Sequence, residues 1–250
     1  MSVSTVEQAL AELVQQHSEL YDGPAIDAKL ESIIRKGSQT KLTGWDILRV
    51  LRMSRSVCFD THVEVVSGHH TATYLRFESV ARFPELIRLL ARDMAEWIRR
   101  TFQHNPITGI VATASAAESL AEGIADVLRN TMRLRMTLTP YSCETGRIGT
   151  DVMVGAIKPG ERFLALNDVT TRGNCVSKLG KVITDNGGML AGMMVFARRD
   201  TGQFPLMGDL IAQYPFYYST DLNMPQWEAA QCPLCRMNKP LLSWKDMPEL

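Results

Sequence analysis

The stretch FLALNDVTTRGNC, Phe163 to Cys175, joins an apolar segment to a polar turn that contains a glycine. The apolar part is typical of a buried strand, and the segment after Gly173 is typical of a helix start. Main-chain NH groups at a helix start favour an anion, and the hydroxyls of Thr170 and Thr171 add donors. Asp168 can accept hydrogen bonds from sugar hydroxyls. A phosphate beside a sugar diol suggests a ribose 5-phosphate.

The same residues also fit a purely structural role. Asp168 would then cap the turn, and Thr170 and Thr171 would be present as strand-forming residues. The chemistry of the residues alone leaves both interpretations open.

Strands and helices alternate through the middle of the chain, and this order must position the turn. Apolar strand segments such as ITGIVATA, RFLALND and MLAGMMVFARR are separated by helical segments such as SAAESLAEGIADVLRN and CVSKLGKVITDNGG. This alternation predicts an α/β fold, a Rossmann-like parallel sheet flanked by helices. Ligands of such sheets bind beyond the carboxyl ends of the strands, which is where NDVTTRGNC lies.

The two ends of the chain are predicted to be additions to this core. Amphipathic patterns predict helices over residues 3–20 and 25–35, the second ended by Gly37, and a short third helix in GWDILRVLRM. A hairpin is predicted around SGHHT, and YSCETGRIGTD is predicted to be a mobile loop or hairpin. The division is an N-terminal helical extension (1–60), a core (61–205) and a C-terminal tail with a CPLC motif (206–250). The helices and the first hairpin would form a hood.

Charge and composition exclude several partners. The chain of 250 residues has 27 basic and 27 acidic residues, so nothing predicts a surface for nucleic acid or acidic lipid. No apolar run reaches the ~20 residues needed to cross a bilayer, and the N-terminus lacks a signal-peptide pattern. Five cysteines do not make a disulfide framework. We expect a reduced, cytoplasmic protein without membrane or nucleic-acid partners.

The segment RFLALNDVTTRGNCVSKLGKVITDNGG resembles the phosphoribosyl-diphosphate signature of type I phosphoribosyltransferases. From about Val63 to Leu241 the chain is similar to orotate phosphoribosyltransferases, with GIVATASAAESLA in the place of the pyrophosphate loop. The resemblance implies an enzyme of pyrimidine biosynthesis that transfers a 5-phosphoribosyl group from phosphoribosyl diphosphate to orotate or a related planar base, releasing pyrophosphate. It also implies Mg²⁺ and a homodimer.

The resemblance also implies roles for individual residues. Asp168 would be catalytic, holding a ribose hydroxyl and reaching Mg²⁺ through the sugar or water, and Arg147 would be the catalytic cation of the mobile loop. The substrate-binding residues would be Asn167, Asp168, Val169, Thr170, Thr171, Arg172, Gly173, Asn174 and Cys175 around the 5-phosphate, and Ala114, Ser115, Ala116 and Ala117 in the pyrophosphate loop.

Several positions depart from the family pattern. Asn167 replaces an acid, Arg172 and Cys175 replace small hydroxyl residues, and Phe77 lies where a lysine is common. Ala116 and Ala117 replace glycines that let amides wrap a diphosphate, and YSCETGRIGTD has no lysine. Arg172 could add a bidentate phosphate contact or block the pocket.

These departures carry an energetic consequence. Each lost cation or donor acting on the transition state commonly costs ~3 kcal/mol. Arg133 and Arg135 could replace the lost charges, since alternate strand residues share a face, or they could be solvated. A second hypothesis follows, in which a catalytically degenerate fold binds phosphoribosyl diphosphate or a nucleotide as a regulatory or effector module.

Cys232 and Cys235 in CPLC have the spacing of half a tetrahedral zinc site. No second cysteine pair or histidine follows them, so a shared zinc would need two cysteines from each of two subunits. The expectation is a structural turn with free thiols, with the shared zinc as the alternative. His69 and His70 are expected as turn histidines, and the resemblance places His70 near the phosphate site or the subunit edge.

Overall fold

The alternating elements of the middle of the chain are present in the structure, a computed structural model that describes residues 5–199 and 204–248. The helices in these ranges are α1 Thr5–Asp22, α2 Ala25–Ile33, α3 Gly44–Ser54, α4 Phe77–Ala81, α5 Pro84–Thr101, α6 Ala116–Leu128, α7 Asn174–Asp185, α8 Pro205–Gln213 and α9 Pro233–Arg236. The strands are β1 Ile34–Ser38, β2 Val57–Cys58, β3 Val63–Glu64, β4 His70–Thr71, β5 Tyr74–Leu75, β6 Gly109–Thr113, β7 Arg135–Thr139, β8 Tyr141–Ser142, β9 Arg147–Ile148, β10 Arg162–Thr170, β11 Met189–Arg198, β12 Phe216–Leu222, β13 Gln226–Trp227 and β14 Leu242–Ser243.

The central sheet has the strand order β1-β12-β11-β10-β6-β7. Strands β12, β11, β10, β6 and β7 are parallel neighbours, and only β1 runs antiparallel. Helix α6 connects β6 to β7, and α7 connects β10 to β11, so both connections are crossovers between neighbouring parallel strands. The predicted fold, a parallel α/β sheet flanked by helices, is confirmed.

Both faces of this sheet are covered, which explains the unbroken apolar run in β10. Leu164 and Leu166 lie in the core that α2, α3, α5 and α6 cover, whereas Phe163 and Ala165 lie in the core under α7 and α8. Alternate residues of a strand point to opposite faces. A strand buried on both faces therefore needs apolar residues at successive positions.

Strand β1 corrects the predicted end of the second helix. Helix α2 ends at Ile33, and the next residues pair with β12, Ile34 opposite Leu222 and Ser38 opposite Tyr218. A Cβ on Gly37 would lie 2.2 Å from the main-chain oxygen of Ser219. Gly37 therefore permits the close approach of two strands and does not serve as a helix stop.

The hairpin of β3 and β4 is present and joins a second, small sheet in the order β13-β4-β3-β14. The C-terminal segment supplies β13 and β14, so this segment packs on the hairpin. Strand β12, from the same part of the chain, belongs to the central sheet. The sheets thus combine strands from the N-terminal, middle and C-terminal segments.

The segment YSCETGRIGTD forms a hairpin of β8 and β9. Residues 3 and 4 of the predicted first helix, and residues 200–203 at the end of MVFARRDTGQ, lie outside the described residues. Across the ranges that the structure describes, no helix combines the length and the apolar character that a bilayer span requires.

Candidate active site

The turn that follows β10 is shaped by Gly173, which has a φ of +86° and precedes α7. A Cβ there would lie 2.8 Å from Cδ1 of Leu210, so both the backbone angle and the space favour glycine. The Gly173 NH donates to Oγ1 of Thr170 over 3.1 Å, which fixes the bend. We call residues 170–175 the phosphate turn. The NH groups of the first turn of an α-helix lack partners within the helix, so α7 directs donors into this turn.

Asp168 lies just before the phosphate turn and is half-buried. Burial and the repulsion of Glu78 raise the pKa of Asp168 to about 6, against the attraction of main-chain NH groups and of Arg199. The carboxyl group is therefore mainly ionised at pH 7, and its charge is poorly solvated. Such a carboxylate is a strong acceptor for hydroxyl groups of a ligand.

Arg199, a residue that the sequence analysis gave no role, supplies the positive charge beside Asp168. It follows β11, the strand next to β10, and its Nε donates to Oγ1 of Thr171 over 3.1 Å. Its main-chain NH donates to the Thr170 carbonyl over 2.8 Å. Burial lowers the pKa of Arg199, whereas Tyr74 and Asp168 act in the opposite direction. The only signal in the sequence was an arginine pair at the end of the apolar strand MLAGMMVFARR.

Three further side chains lie close enough to Asp168 for their pKa values, or that of Asp168, to be shifted by the interaction. They come from the hood and the second hairpin: Tyr74 in β5, Glu78 in α4 and Tyr141 in β8. Burial and the charge of Glu78 raise the pKa of Tyr74 to about 12. Burial and Asp168 raise the pKa of Tyr141 as well. Both phenols therefore keep their protons and can donate hydrogen bonds.

Asn167 is used by the fold. It is buried, its Oδ1 accepts from Oγ1 of Thr113 over 3.3 Å, and its Nδ2 donates to the Val169 carbonyl over 3.0 Å. The side chain therefore links β10 to β6 and braces the backbone on either side of Asp168. An amide can satisfy both partners because it has a donor and an acceptor, whereas a carboxylate can only accept.

The loop between β6 and α6, residues 113–117, is the segment that the resemblance compares with the pyrophosphate loop. The NH groups of Ala114 and Ser115 donate to main-chain oxygens of Thr139 and Thr113, over 2.9 and 2.8 Å. The Ser115 hydroxyl caps α6 by accepting from the NH of Ala117 at 3.5 Å. Ala116 begins α6. Two amides of this loop are thus bonded within the protein and are not directed at a ligand.

Arg172 projects from the phosphate turn toward the hairpin. Its Nη2 lies 2.8 Å from Nδ1 of His69, and its Cζ lies 4.8 Å from the ring centre of Phe204. The guanidinium therefore packs between an imidazole and an aromatic ring. Of the two alternatives given for Arg172, neither a bidentate phosphate contact nor a blocked pocket is needed to explain this position.

Cys175 begins the helix beside Asn174. Burial and the charge of Asp168 raise the pKa of the Cys175 thiol. A thiol with a raised pKa is a poor nucleophile at neutral pH, so Cys175 fits a small helix-start residue.

Arg135 does not lie at the site, contrary to its predicted role in substrate binding. It is the first residue of β7, paired with Gly109, whereas the site lies at the other end of the strand, where Thr139 is paired with Thr113. Four residues of strand span about 13 Å. The guanidinium pairs with Glu161 and lies 5.6 Å from the ring centre of Phe163. Arg133 precedes β7 and is exposed, so it lies even farther from the carboxyl end.

Two other positions named in the sequence analysis are placed as follows. Arg147 is exposed in β9, on the hairpin whose β8 carries Tyr141. Phe77 is buried and packs on Phe196 with ring centres 5.2 Å apart, so it belongs to the core.

Oxygen ligands for Mg²⁺ are present at the end of β10. Asp168 faces the repulsion of Glu78, and a cation or a hydrogen-bonding sugar would relieve this repulsion. Proteins commonly hold Mg²⁺ through one or two carboxylates together with substrate phosphates. The residues present therefore fit Mg²⁺ bound with a phosphorylated ligand.

Cys232 and Cys235 lie apart from these residues, beside the histidines of the first hairpin. Their thiols form a group with His62 and His70. No histidine follows the cysteine pair in the sequence, but the fold brings to it two histidines that precede it by about 170 residues.

Comparison with known proteins agrees with this arrangement. No family model matches the chain. The chain is 26% identical over 197 residues to the orotate phosphoribosyltransferase of Thermus thermophilus, and the match covers 78% of this chain and 98% of that protein.

Solved structures of the same fold are also similar. Orotate phosphoribosyltransferase from Aeropyrum pernix has a TM-score of 0.54 and 16% identity, covering 69% of this chain and 92% of that chain. The Mycobacterium tuberculosis orotate phosphoribosyltransferase was solved in complex with inorganic phosphate. It has a TM-score of 0.52 and 16% identity, and the match covers 70% of this chain and 95% of that chain. The strand order, the turn after β10 and the comparisons together show the type I phosphoribosyltransferase fold and a sequence similarity to orotate phosphoribosyltransferases.

Proposed function

We propose that this protein transfers a 5-phosphoribosyl group from phosphoribosyl diphosphate to a nitrogen of orotate or a related planar base and releases pyrophosphate. The observation that carries the proposal is the phosphate turn at the carboxyl end of β10, with Asp168 and Arg199 beside it. The relatives of this chain bear the name orotate phosphoribosyltransferase, which supports orotate as the acceptor.

The chemistry requires little covalent participation by the protein. The bond between the anomeric carbon and the pyrophosphate oxygen breaks as the ring oxygen donates electrons, and a bond to the base nitrogen forms. The protein must hold the two substrates in line and stabilise the separating charges. A bound Mg²⁺ would supply charge neutralisation at the phosphate oxygens.

Each element of the site supports one part of this task. The NH groups and threonine hydroxyls of the phosphate turn would hold the 5-phosphate, and Asp168 would accept from a ribose hydroxyl. Arg199 fixes Thr171 and balances the charge of Asp168. The protonated hydroxyls of Tyr74 and Tyr141 would donate to ligand oxygens. Arg147, on the β8–β9 hairpin, would act on the pyrophosphate. A homodimer and a cytoplasmic location remain predictions.

A titration followed by an assay tests the proposal. Phosphoribosyl diphosphate is titrated into the protein in the presence of Mg²⁺, and binding is measured by calorimetry. Pyrophosphate release is then measured with orotate and a panel of other bases. We expect binding, and release with orotate or one close analogue. Asp168→Ala should weaken binding, whereas Asp185→Asn should not, because Asp185 is exposed at the far end of α7 and pairs with Lys181.

The outcomes separate the two hypotheses that the sequence raises. Binding without release with any base would contradict the transferase and favour the regulatory or effector module. Absence of binding, with Asp168→Ala behaving like the unmodified protein, would contradict both.

A further inference from the structure

Four side chains with metal-binding atoms converge where the C-terminal segment packs on the β3–β4 hairpin, and none of them belongs to the phosphate turn. They are His62, before β3; His70, in β4; Cys232, before α9; and Cys235, in α9. Their ligand atoms all lie within 4.8 Å of one another. Cys232 is fully buried, and His62 and His70 are 1% and 4% exposed. We call these residues the Cys2His2 cluster.

Four distances within the cluster lie within a few tenths of an ångström of the edges of a tetrahedron around one metal ion. Nε2 of His62 lies 3.1 Å from Nδ1 of His70, 3.5 Å from Sγ of Cys232 and 3.6 Å from Sγ of Cys235. Sγ of Cys235 lies 3.2 Å from Nδ1 of His70. Zinc bonds of about 2.3 Å to sulfur and about 2.0 to 2.1 Å to nitrogen give tetrahedral edges of about 3.3 to 3.8 Å.

Hydrogen bonds alone do not account for this convergence. Nδ1 of His62 lies 2.9 Å from the Lys239 carbonyl oxygen, which can only accept, so the ring proton is on Nδ1 and Nε2 has a lone pair. Three groups, the two thiols and Nδ1 of His70, surround that lone pair. One lone pair accepts one well-aligned hydrogen bond. A cation at the centre would instead satisfy all four groups, and the contact with Lys239 is the outer hydrogen bond expected of a metal-bound histidine.

We propose that His62, His70, Cys232 and Cys235 of a single chain bind one structural Zn²⁺. Two thiolates and two imidazoles are a common set for zinc, and four protein ligands leave no open position for catalysis. A two-iron cluster would bind the cysteines and the histidines to different irons. Here His70 Nδ1 and Cys235 Sγ are only 3.2 Å apart, which suits one ion.

The position of the cluster indicates what the metal does. It would join the β3–β4 hairpin to a segment about 170 residues later in the chain, where the small sheet is held by only a few strand pairs. His69, the neighbour of His70, contacts Arg172 of the phosphate turn. The zinc would therefore fix the hairpin that borders the site.

Metal analysis of the full-length protein tests this proposal. The protein is produced in zinc-supplemented medium, and metal content is measured by plasma mass spectrometry after gel filtration. We expect one zinc per chain. Cys235→Ser and His62→Asn should each lose most of it, whereas Cys143→Ser should keep it, because Cys143 is exposed on the β8–β9 hairpin.

Cobalt substitution of the unmodified protein keeps the proposal testable if the variants do not fold. Removal of zinc with a chelator, followed by Co²⁺, should give the visible spectrum of tetrahedral cobalt with thiolate charge-transfer bands. Removal should also lower the melting temperature, and zinc should restore it. Absence of metal in the purified protein, retention of zinc by Cys235→Ser, or a disulfide between Cys232 and Cys235 would each overturn the proposal. Half an equivalent of zinc per chain would indicate a site shared by two subunits and would also overturn it.

Discussion

The phosphate turn and the loops on the pyrophosphate side of the same site differ in how far they keep the features of the family. The phosphate turn has a positive-φ glycine, a helix start and an adjacent carboxylate. In the pyrophosphate loop, the NH groups of Ala114 and Ser115 are bonded to main-chain oxygens. Phe77, which the resemblance places where a lysine is common, is a core residue. If the proposed function holds, the sugar-phosphate end of the site is retained, whereas the leaving-group end is rebuilt.

The difference between the phosphate turn and the pyrophosphate loop indicates which residues must stabilise the charge of the transition state. If the pyrophosphate loop donates fewer amides, then Arg147, Mg²⁺ and the tyrosines must carry more of the stabilisation. Substitutions at the two ends should therefore differ in kind. Changes at Asp168 and Arg199, beside the phosphate turn, should weaken substrate binding, and changes on the β8–β9 hairpin should lower the turnover rate.

The largest effect is expected for Asp168→Asn, which removes the charge at the retained end. We expect kcat/KM to fall by ~10². In the unmodified protein kcat/KM should decline as the pH falls through about 6, where Asp168 becomes protonated. The variant should lack this decline, and pH–rate profiles of the two proteins check it. A decline that persists in the variant would assign it to another group.

The same variant should be more stable than the unmodified protein above pH 6. The pKa of Asp168 is raised from 3.8 to about 6, so its ionisation destabilises the native state. This destabilisation is absent below the unfolded pKa, develops between about pH 4 and 6, and is complete above pH 6. Melting temperatures of both proteins at pH 4 and pH 8 measure the difference. An equal difference at both pH values would contradict this cause.

Arg199→Gln should have the second-largest effect on activity, because it removes the half-buried positive charge beside Asp168. We expect KM for phosphoribosyl diphosphate to rise by about 10-fold, since a hydrogen bond to a charged group contributes about 1.5 to 3 kcal/mol. Arg199→Lys should recover part of the loss, because lysine restores the positive charge but not the planar set of donors of the guanidinium. Steady-state kinetics with varied phosphoribosyl diphosphate measure this, and equal losses in both variants would exclude an electrostatic role.

Arg147→Ala tests the rebuilt end. We expect kcat to fall by about 10-fold with little change in KM, because a contact made mainly in the transition state affects turnover. Arg135→Ala is the matched control, since Arg135 lies at the amino end of β7 and pairs with Glu161. Pyrophosphate release under saturating substrates distinguishes them. An equal effect of the two substitutions would show that the β8–β9 hairpin does not act on the leaving group.

Arg172→Ala should have the smallest effect on ligand affinity. A bidentate phosphate contact of Arg172 would predict weaker phosphate binding in this variant, but the guanidinium packs between His69 and Phe204. We expect the dissociation constant of phosphoribosyl diphosphate to change less than about threefold, because the substitution removes a weak cation–π contact and does not remove a phosphate contact. Calorimetric titration measures it. A tenfold loss would show that Arg172 turns toward the phosphate when ligand binds.

The sequence predicts those features that depend on neighbouring residues in the chain. Strand β10, the bend at Gly173 and helix α7 follow from a continuous apolar run, a glycine and a helical pattern. The pattern also places Arg135 correctly in a strand. It does not indicate that Arg135 is the first residue of that strand and so lies at the end away from the site.

Features that depend on distant contacts were not predictable. The segment IRKGS has no alternation of apolar residues, and it is a strand because it pairs with β12. Arg199 is recognisable as a site residue only once β11 is known to lie beside β10. His62 and Cys232 are brought together by the fold, so CPLC alone shows only half of the proposed metal site.

The pairing of β1 with β12 has a consequence for the order in which the protein can fold during its synthesis. Strand β1 ends at Ser38 and β12 begins at Phe216, so about 180 residues must be translated between the two partners. At 5 to 20 residues per second, the ribosome needs roughly 10 to 40 s for this stretch. The N-terminal helices therefore emerge well before the strand that completes their edge of the sheet. Folding of this region must finish late, near the end of translation.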